Sequence, residues 1–411
     1  MQKILIKNIK GLVQAGEEIP LIRKGKDMQE LPIVKNAFLY LEDNEVIAYG
    51  KMDDWKEIGS SSDIEIIDAE GCFVLPAFCD SHTHSVFAAY REEEFVMKIQ
   101  GASYADIAQK GGGILNSAKK ISTIDEKSLF DSSLERINTM IDSGIGALEI
   151  KSGYGLDLEN ELKMLSVINT LKEKLSIPIK RTFLAAHAIP EAFKDKKRDY
   201  VDEIVNHWIP FVGNKGLADY VDVFCETGYF DVGDVRRIGD ALAGSNLQLK
   251  VHVNQFTSIG GIAEALNQKA VSVDHLEVLT EDDISKLKGK NTIATLLPGC
   301  SFFLGIPYAP ARTLIDNNIS VALASDFNPG SSPTYNPFFI WSLACIKLKM
   351  TPLEALNALT VNGAFAMGLG HTHGRIFKGY NGTLILTKPT PSIDYFPYAF
   401  GENHTQEMLN K

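Results

Sequence analysis

A chain of 411 residues that is 45% hydrophobic and 23% charged has the makeup of a folded globular protein, with room for one large domain and a smaller one. Its formal net charge of −11, with no compensating run of Lys and Arg, excludes a nucleic-acid footprint, and no stretch is apolar for long enough to span a bilayer. The five cysteines are scattered without a Cys-x-x-Cys pair, which reads as free thiols in a reducing cytoplasm and not as a disulfide framework or zinc knuckle.

The opening Met1-Gln-Lys-Ile-Leu-Ile-Lys alternates like a strand and lacks the apolar core of a signal peptide. Similar short segments follow at Ile4–Asn8, Ala37–Leu41, Val46–Tyr49 and Ile64–Asp68, separated by turn residues, and predict a small β module over residues 1–72. A matching piece, Gly382-Thr-Leu-Ile-Leu-Thr, lies in the tail. A lone strand there would be unstable, so residues 371–411 are expected to complete the N-terminal module as one composite β-sandwich.

Between these ends, over residues 73–370, strand-like runs alternate with amphipathic segments. The first strand is the apolar stretch from Val74 that ends in His82-Thr-His84. Gly144–Ile150, Ile179–Ala186, Tyr220–Cys225, Leu247–Val251, Ala270–Val273, Thr292–Leu297 and Ile319–Ala324 follow. Helical patterns such as Leu134–Ile141, Leu162–Ile168, Val235–Leu242 and Asp283–Leu287 fill the gaps. Eight such units predict an α/β fold, a (β/α)8 TIM barrel. The alternative, an open doubly wound sheet, lacks a Gly-x-Gly-x-x-Gly fingerprint after any strand. Gly111-Gly-Gly113 is expected to be a flexible loop over the site.

Chemistry in such a barrel sits at the C-terminal ends of the strands. The strands end in His82 and His84, Glu149-Ile-Lys-Ser-Gly-Tyr154, His187, Glu226, His252, Asp274-His275, and Asp326-Phe-Asn328-Pro-Gly330-Ser331. Residues i and i+2 of a strand share a face, so His82 and His84 can aim at one point. Asp80 is close enough in sequence to satisfy one of those rings. A second copy, His371-Thr-His373, lies between glycines and reads as a solvated turn, while His207 and His404 fall on a helix and in the tail. His82, His84, His252 and Asp326 are the candidate metal ligands; three imidazoles and a carboxylate suit one zinc or ferrous ion and leave room for a water. His275 is better suited to orienting that water than to a fifth bond.

The motifs His82-Thr-His84-Ser-Val-Phe-Ala, Arg91-Glu-Glu-Glu-Phe, Glu149-Ile-Lys-Ser-Gly-Tyr-Gly-Leu-Asp157, Ala186-His187-Ala-Ile-Pro and Ser325-Asp-Phe-Asn-Pro-Gly-Ser331 come in order along nearly the whole chain. By these the chain resembles the amidohydrolase superfamily and, within it, the imidazolonepropionase family, which hydrolyses the cyclic amide of imidazolonepropanoate to formiminoglutamate in histidine degradation. The resemblance implies that His82, His84, His252 and Asp326 bind one zinc or iron ion. It further implies that Arg91, Tyr154, His187, Asn328, Gly330 and Ser331 meet a small substrate carrying a carboxylate, and that the chain forms a homodimer. Arg91 suits a carboxylate through its planar fork of donors, although a surface Arg paired with the following glutamates is the alternative. Tyr154 could equally be a packed loop aromatic. His187 could polarise a substrate carbonyl or be a satisfied barrel histidine.

The chain departs from the family pattern at Gln255, where many members carry Glu. Gln can hydrogen-bond the ring but cannot shuttle a proton, so Asp326 becomes the favoured base and His275 its partner in catalysis. Relatives with two metals bridge them with a carboxylated Lys after the fourth strand; here Cys225-Glu226 stands there, which implies one metal, and Glu226 has no assigned role. A mononuclear nucleobase deaminase and a non-catalytic barrel acting in assembly are the rival readings. The first would not need Arg91 or Tyr154, and the second need hold no metal.

Overall fold

The alternating N-terminal segments pair as their period demands. In the computed structural model, which describes residues 2–55, 63–102, 106, 111–380 and 382–409, strands β1 (Lys3–Val13), β2 (Ile33–Glu42) and β3 (Glu45–Lys51) run antiparallel. Strands β4 (Ile64–Asp68) and β5 (Phe73–Pro76) lie parallel to successive parts of β1. The barrel follows with β6 (Phe78–Thr83), β7 (Ile145–Lys151), β8 (Ile179–Ala186), β9 (Tyr220–Cys225), β10 (Gln248–Val253), β11 (Ser272–His275), β12 (Ile293–Leu296) and β13 (Val321–Leu323). Last come β14 (Leu384–Thr387) and β15 (Thr405–Leu409). These two join the N-terminal strands in one seven-stranded mixed sheet, ordered β15-β14-β5-β1-β2-β3 with β4 also on β1. That sheet has its own apolar cluster, including Ile6, Leu39, Val74 and Leu384.

All eight barrel strands are parallel neighbours in chain order. Their apolar runs are buried on both faces, as parallel strands covered by helices require. Closure between the first and last strands falls beyond the end of β13: Thr83 bridges Phe327, the Asp326 amide donates to the His82 carbonyl at 3.1 Å, and the His84 amide donates to the Phe327 carbonyl at 2.8 Å. Asp80 belongs to this seam and not to an imidazole, since its carboxylate accepts the Ser325 amide (3.0 Å) and hydroxyl (2.5 Å).

The stretch from Val74 to His84 is not one strand. Phe73–Pro76 pairs in the mixed sheet and Phe78–Thr83 in the barrel, so the crossover lies at Ala77, later than the expected boundary between residues 72 and 73. The physical reason is a switch of partners across consecutive peptide groups. The Ala77 amide donates to the Thr383 carbonyl, and the Phe78 amide to the Gly144 carbonyl, both at 3.0 Å. Gly146 permits the crossing, because a Cβ there would lie 2.3 Å from that of Ala77.

Helices Glu126–Asp142, Leu158–Lys174, Val232–Ala241 and Glu281–Leu287 cover the runs read as amphipathic. Asp157 caps the second of these by accepting the Asn160 amide at 2.9 Å. His371-Thr-His373 is a turn, with His371 exposed and His373 half-buried beside Tyr380. His404 is no loose tail residue: it is buried among Phe338, Tyr395 and Phe396 just before β15. The five cysteines are free, and four of them are buried.

Candidate active site

Four side chains from three separate strand ends converge on one point. His82 and His84 end β6, His252 lies near the end of β10, and Asp326 follows β13. Asp326 Oδ1 is 3.6 Å from His82 Nε2 and 3.7 Å from His84 Nε2, and the Nε2 atoms of His84 and His252 are 3.4 Å apart. A tetrahedron's edge is about 1.6 times its centre-to-corner distance, so metal bonds of about 2.0–2.2 Å put ligand atoms about 3.3–3.6 Å apart. Two of the three spacings, 3.4 and 3.6 Å, fall in that range, and the third, 3.7 Å, lies just outside it. Among the described residues His82 Nε2 is buried without a hydrogen-bond partner, which leaves its lone pair available to a metal. Burial holds the His82 and His84 imidazoles well below their usual pKa, so both offer lone pairs.

Beneath this point lies a dry ionic floor that sequence reasoning missed. His82 Nδ1 donates to Asp274 Oδ2 at 2.6 Å, and His252 Nδ1 donates to Asp222 Oδ1 at 3.0 Å. Each bond fixes a proton on Nδ1 and leaves Nε2 free for a metal. Lys151 Nζ donates to Asp222 Oδ2 at 2.8 Å and Glu149 Oε1 at 2.6 Å, and stands 3.8 Å from Asp274 Oδ2. Lys250 pairs with the other oxygen of Glu149, which also accepts the Thr182 hydroxyl at 2.6 Å. The side chains of all five charged residues are fully buried. A signal was present: charged residues at a spacing of two inside apolar strands, as in Glu149-Ile-Lys151 and Lys250-Val-His252, face the barrel interior together.

Arg91 opens the first loop above the metal point. It is buried, its Nε and Nη1 find no hydrogen-bond partner among the described residues, and it keeps an ion pair with Glu94 at 3.7 Å. Of the expected alternative, a surface Arg paired with the glutamates after it, the structure keeps the ion pair, with Glu94, but buries the guanidinium. Gly330 makes room for the guanidinium, since a Cβ there would fall 1.2 Å from Arg91 Nη2. Asn328 shapes this loop. Its Oδ1 accepts the Gly330 and Ser331 amides at 2.8 and 2.7 Å, and its Nδ2 donates to the Asp326 carbonyl and Ser331 Oγ at 2.6 and 2.8 Å. Asn328 and Ser331 line the cavity over the metal point; Gly330 acts beneath Arg91.

The opposite wall is carried by the loop after β7. Glu161 accepts the amides of Gly153, Gly155 and Leu156 with its buried carboxylate, and so pins the loop bearing Tyr154. The Tyr154 ring lies 5.8 Å from that of His84 and 5.5 Å from that of His187. His187 Nδ1 bonds the Gly153 carbonyl at 2.9 Å. A carbonyl only accepts, so the proton is on Nδ1 and Nε2 is bare. His187 therefore presents an acceptor to the cavity and is not a donor that polarises a carbonyl. Burial, helped by the nearby His252, pushes its pKa down to about 3.

That shift has a sign that can be tested. With a folded pKa below the unfolded value near 6.5, the unfolded chain binds the extra proton, so stability is lost as pH falls below about 6.5. At pH 5 the loss from this one group is about 2 kcal/mol. Metal-stripped His187→Gln should therefore show a smaller drop in Tm between pH 7.5 and 5 than metal-stripped wild type. Equal drops would remove His187 as the source.

Gln255 lines the cavity and donates to Cys300 Sγ at 3.4 Å. Glu226, without a role from sequence, accepts the amides of Thr227, Phe256 and Thr257 at 2.8, 2.9 and 3.1 Å, and so holds the Gln255 loop in place. His275 stands 5.4 Å from His252 and 5.8 Å from His82, ring to ring, with Nδ1 3.5 Å from Glu277 Oε1. Burial, the largest single influence, lowers its pKa, but the Glu277, Asp326 and Asp274 carboxylates together outweigh it and the net shift is upward. Asp326 is pushed up by burial. His275 and Asp326 both hold left-handed backbone, at φ 88° and 51°, a strain that non-glycine residues keep where function requires the placement.

A parallel barrel whose strand ends gather three imidazoles and a carboxylate over a buried ionic floor has the donor set that a metal-dependent hydrolase needs. The amidohydrolase family model matches residues 194–396. The chain is 51% identical to imidazolonepropionase of Flavobacterium johnsoniae, covering 98% of both chains. It is 48% identical to that of Christiangramia forsetii, covering 97% of both, and 38% identical to that of Thermoanaerobacter pseudethanolicus, covering 99% of this chain and 96% of the relative. It belongs to the imidazolonepropionase family. Solved structures share the fold: an adenosine deaminase from Xanthomonas campestris with bound zinc (TM-score 0.71, 13% identity, 99% of this chain and 91% of that one) and guanine deaminase from E. coli (TM-score 0.72, 11% identity, 99% and 97%).

Proposed function

We propose that this chain hydrolyses the ring amide of 4-imidazolone-5-propanoate to N-formimino-glutamate, with His82, His84, His252 and Asp326 holding one zinc or ferrous ion. The observation that carries the substrate is Arg91, a buried guanidinium with two unpartnered donors above the metal point, in a chain half identical to imidazolonepropionases. When bound, the metal supplies a water acidic enough to ionise near neutral pH and a Lewis acid for the carbonyl. Arg91 takes the propanoate carboxylate and thereby fixes where the ring lies. His187 Nε2 accepts a ring N–H, and Gln255 offers its amide to the ring. Asp326 removes the proton from the attacking water, helped by His275, which Glu277 orients through Nδ1. As the carbonyl carbon gains the water oxygen and its bond to nitrogen breaks, the same proton passes from Asp326 to the departing nitrogen.

In the same reading the protein works in the cytoplasm as a homodimer. Incubation of purified protein with enzymatically generated imidazolonepropanoate, following the loss of its ultraviolet absorbance, is the test. Steady loss that stops on chelation and returns with zinc or ferrous iron is expected. No loss in protein holding one equivalent of metal would end the substrate assignment.

A further inference from the structure

The five-residue ionic floor contains two buried ammonium groups that differ in what they touch. Lys250 bonds Glu149 and the Ser81 carbonyl, and lies 4.9 Å over the Tyr220 ring. Lys151 also bonds Glu149, but reaches Asp222 and Asp274 as well, at 2.8 and 3.8 Å. Those are the carboxylates that accept from His252 and His82. We propose that Lys151 is the positioning residue of the metal site: one ammonium clamps both carboxylates that orient the ligand imidazoles, and so sets how tightly the site holds its ion. This rests on the ligand assignment proposed above.

The physical case is geometric and electrostatic. Asp222 is bound at both oxygens: Oδ1 accepts His252 Nδ1 and the backbone amides of Val223 and His252, and Oδ2 accepts Lys151. Asp274 is less restrained. Its Oδ1 is buried without a partner, and its Oδ2 meets only His82 and, at longer range, Lys151. Without the ammonium, two buried carboxylates would face each other over the single intervening strand β10 with no cation between them. In a dry site such repulsion is poorly screened. Each would relax, and each would carry its imidazole with it. Outer partners of this kind are worth about 10–100-fold in metal affinity.

The test compares zinc affinity, by competition with a chromophoric chelator, in full-length wild type, Lys151→Met and Lys250→Met. Melting of the metal-stripped proteins, followed by circular dichroism, reports the fold. Both lysine variants remove an equally buried charge from Glu149, so a merely structural network would weaken zinc equally in both. Lys151→Met is expected to weaken zinc about 10–100-fold, with Lys250→Met near wild type. Equal losses, or no loss in Lys151→Met, overturn the proposal. Should the Met variants not fold, Asp274→Asn keeps an acceptor for His82 Nδ1 while cancelling the charge that Lys151 holds. Zinc weakened about tenfold supports the clamp, and unchanged zinc sinks it. Failure of the ligand assignment would look different, because wild type itself would then bind no stoichiometric zinc.

Discussion

Arg91→Leu is expected to keep its metal and its fold while losing about 10²-fold in kcat/KM for imidazolonepropanoate, or about 3 kcal/mol. The guanidinium is already buried, with Nε and Nη1 free of hydrogen bonds among the described residues, so much of the cost of stripping its water is met before the substrate arrives. Much of the loss should fall in KM, because a carboxylate remote from the reacting carbonyl is held equally in ground and transition states. Arg91→Lys should recover only part, since an ammonium lacks the planar fork. Gly330→Ala should mimic the loss, because its new methyl would occupy the space of Nη2. An imidazolone with the propanoate shortened to methyl is the control: wild type should turn it over poorly, and Arg91→Leu no worse. If the Leu variant damages both substrates alike, Arg91 is structural.

The second large effect separates holding the metal from using it. His82→Ala removes a ligand whose Nδ1 is fixed by Asp274, and should leave the purified protein with little or no zinc or iron. Asp326→Ala removes one ligand of four and the proposed proton acceptor together. It should retain part of its metal and still lose at least about 10³-fold in kcat, beyond the usual worth of a positioned base. Metal content and kcat measured on the same samples decide the matter. Full activity in either variant would end the mononuclear reading, and His371→Ala and His373→Ala, in a turn remote from the strand ends, should change neither quantity.

The barrel was legible because parallel strands must be apolar on both faces, and those runs stand out against amphipathic helices. The four residues proposed as ligands were visible in the sequence because they end those runs. The floor was not. Asp222 and Lys250 sit inside runs that were read for apolarity, and Glu149-Ile-Lys151 was noted only as a strand's end. Its members come from β7, β9, β10 and β11, and only the closed barrel brings them to one axis. The Glu161 and Glu226 clamps escaped for a different reason, since each binds backbone amides, which carry no sequence signal. The crossover at Ala77 was hidden because one unbroken apolar run serves two sheets.

The seam between the first and last barrel strands has a thermodynamic consequence. His82 and His84 stand on one side of it and Asp326 on the other, and a few backbone bonds beyond β13 and the Asp80–Ser325 bonds join the two. An ion held by all three, as proposed, would rivet the seam. A ligand that binds only the native state stabilises it by RT ln(1 + [M]/Kd), about 4 kcal/mol at a thousandfold excess over Kd. The melting temperature of this protein is therefore a joint property of the chain and of the free metal around it. A chelator need not touch the catalytic groups to shorten the protein's lifetime, because by draining the ion it frees the barrel's two ends to part.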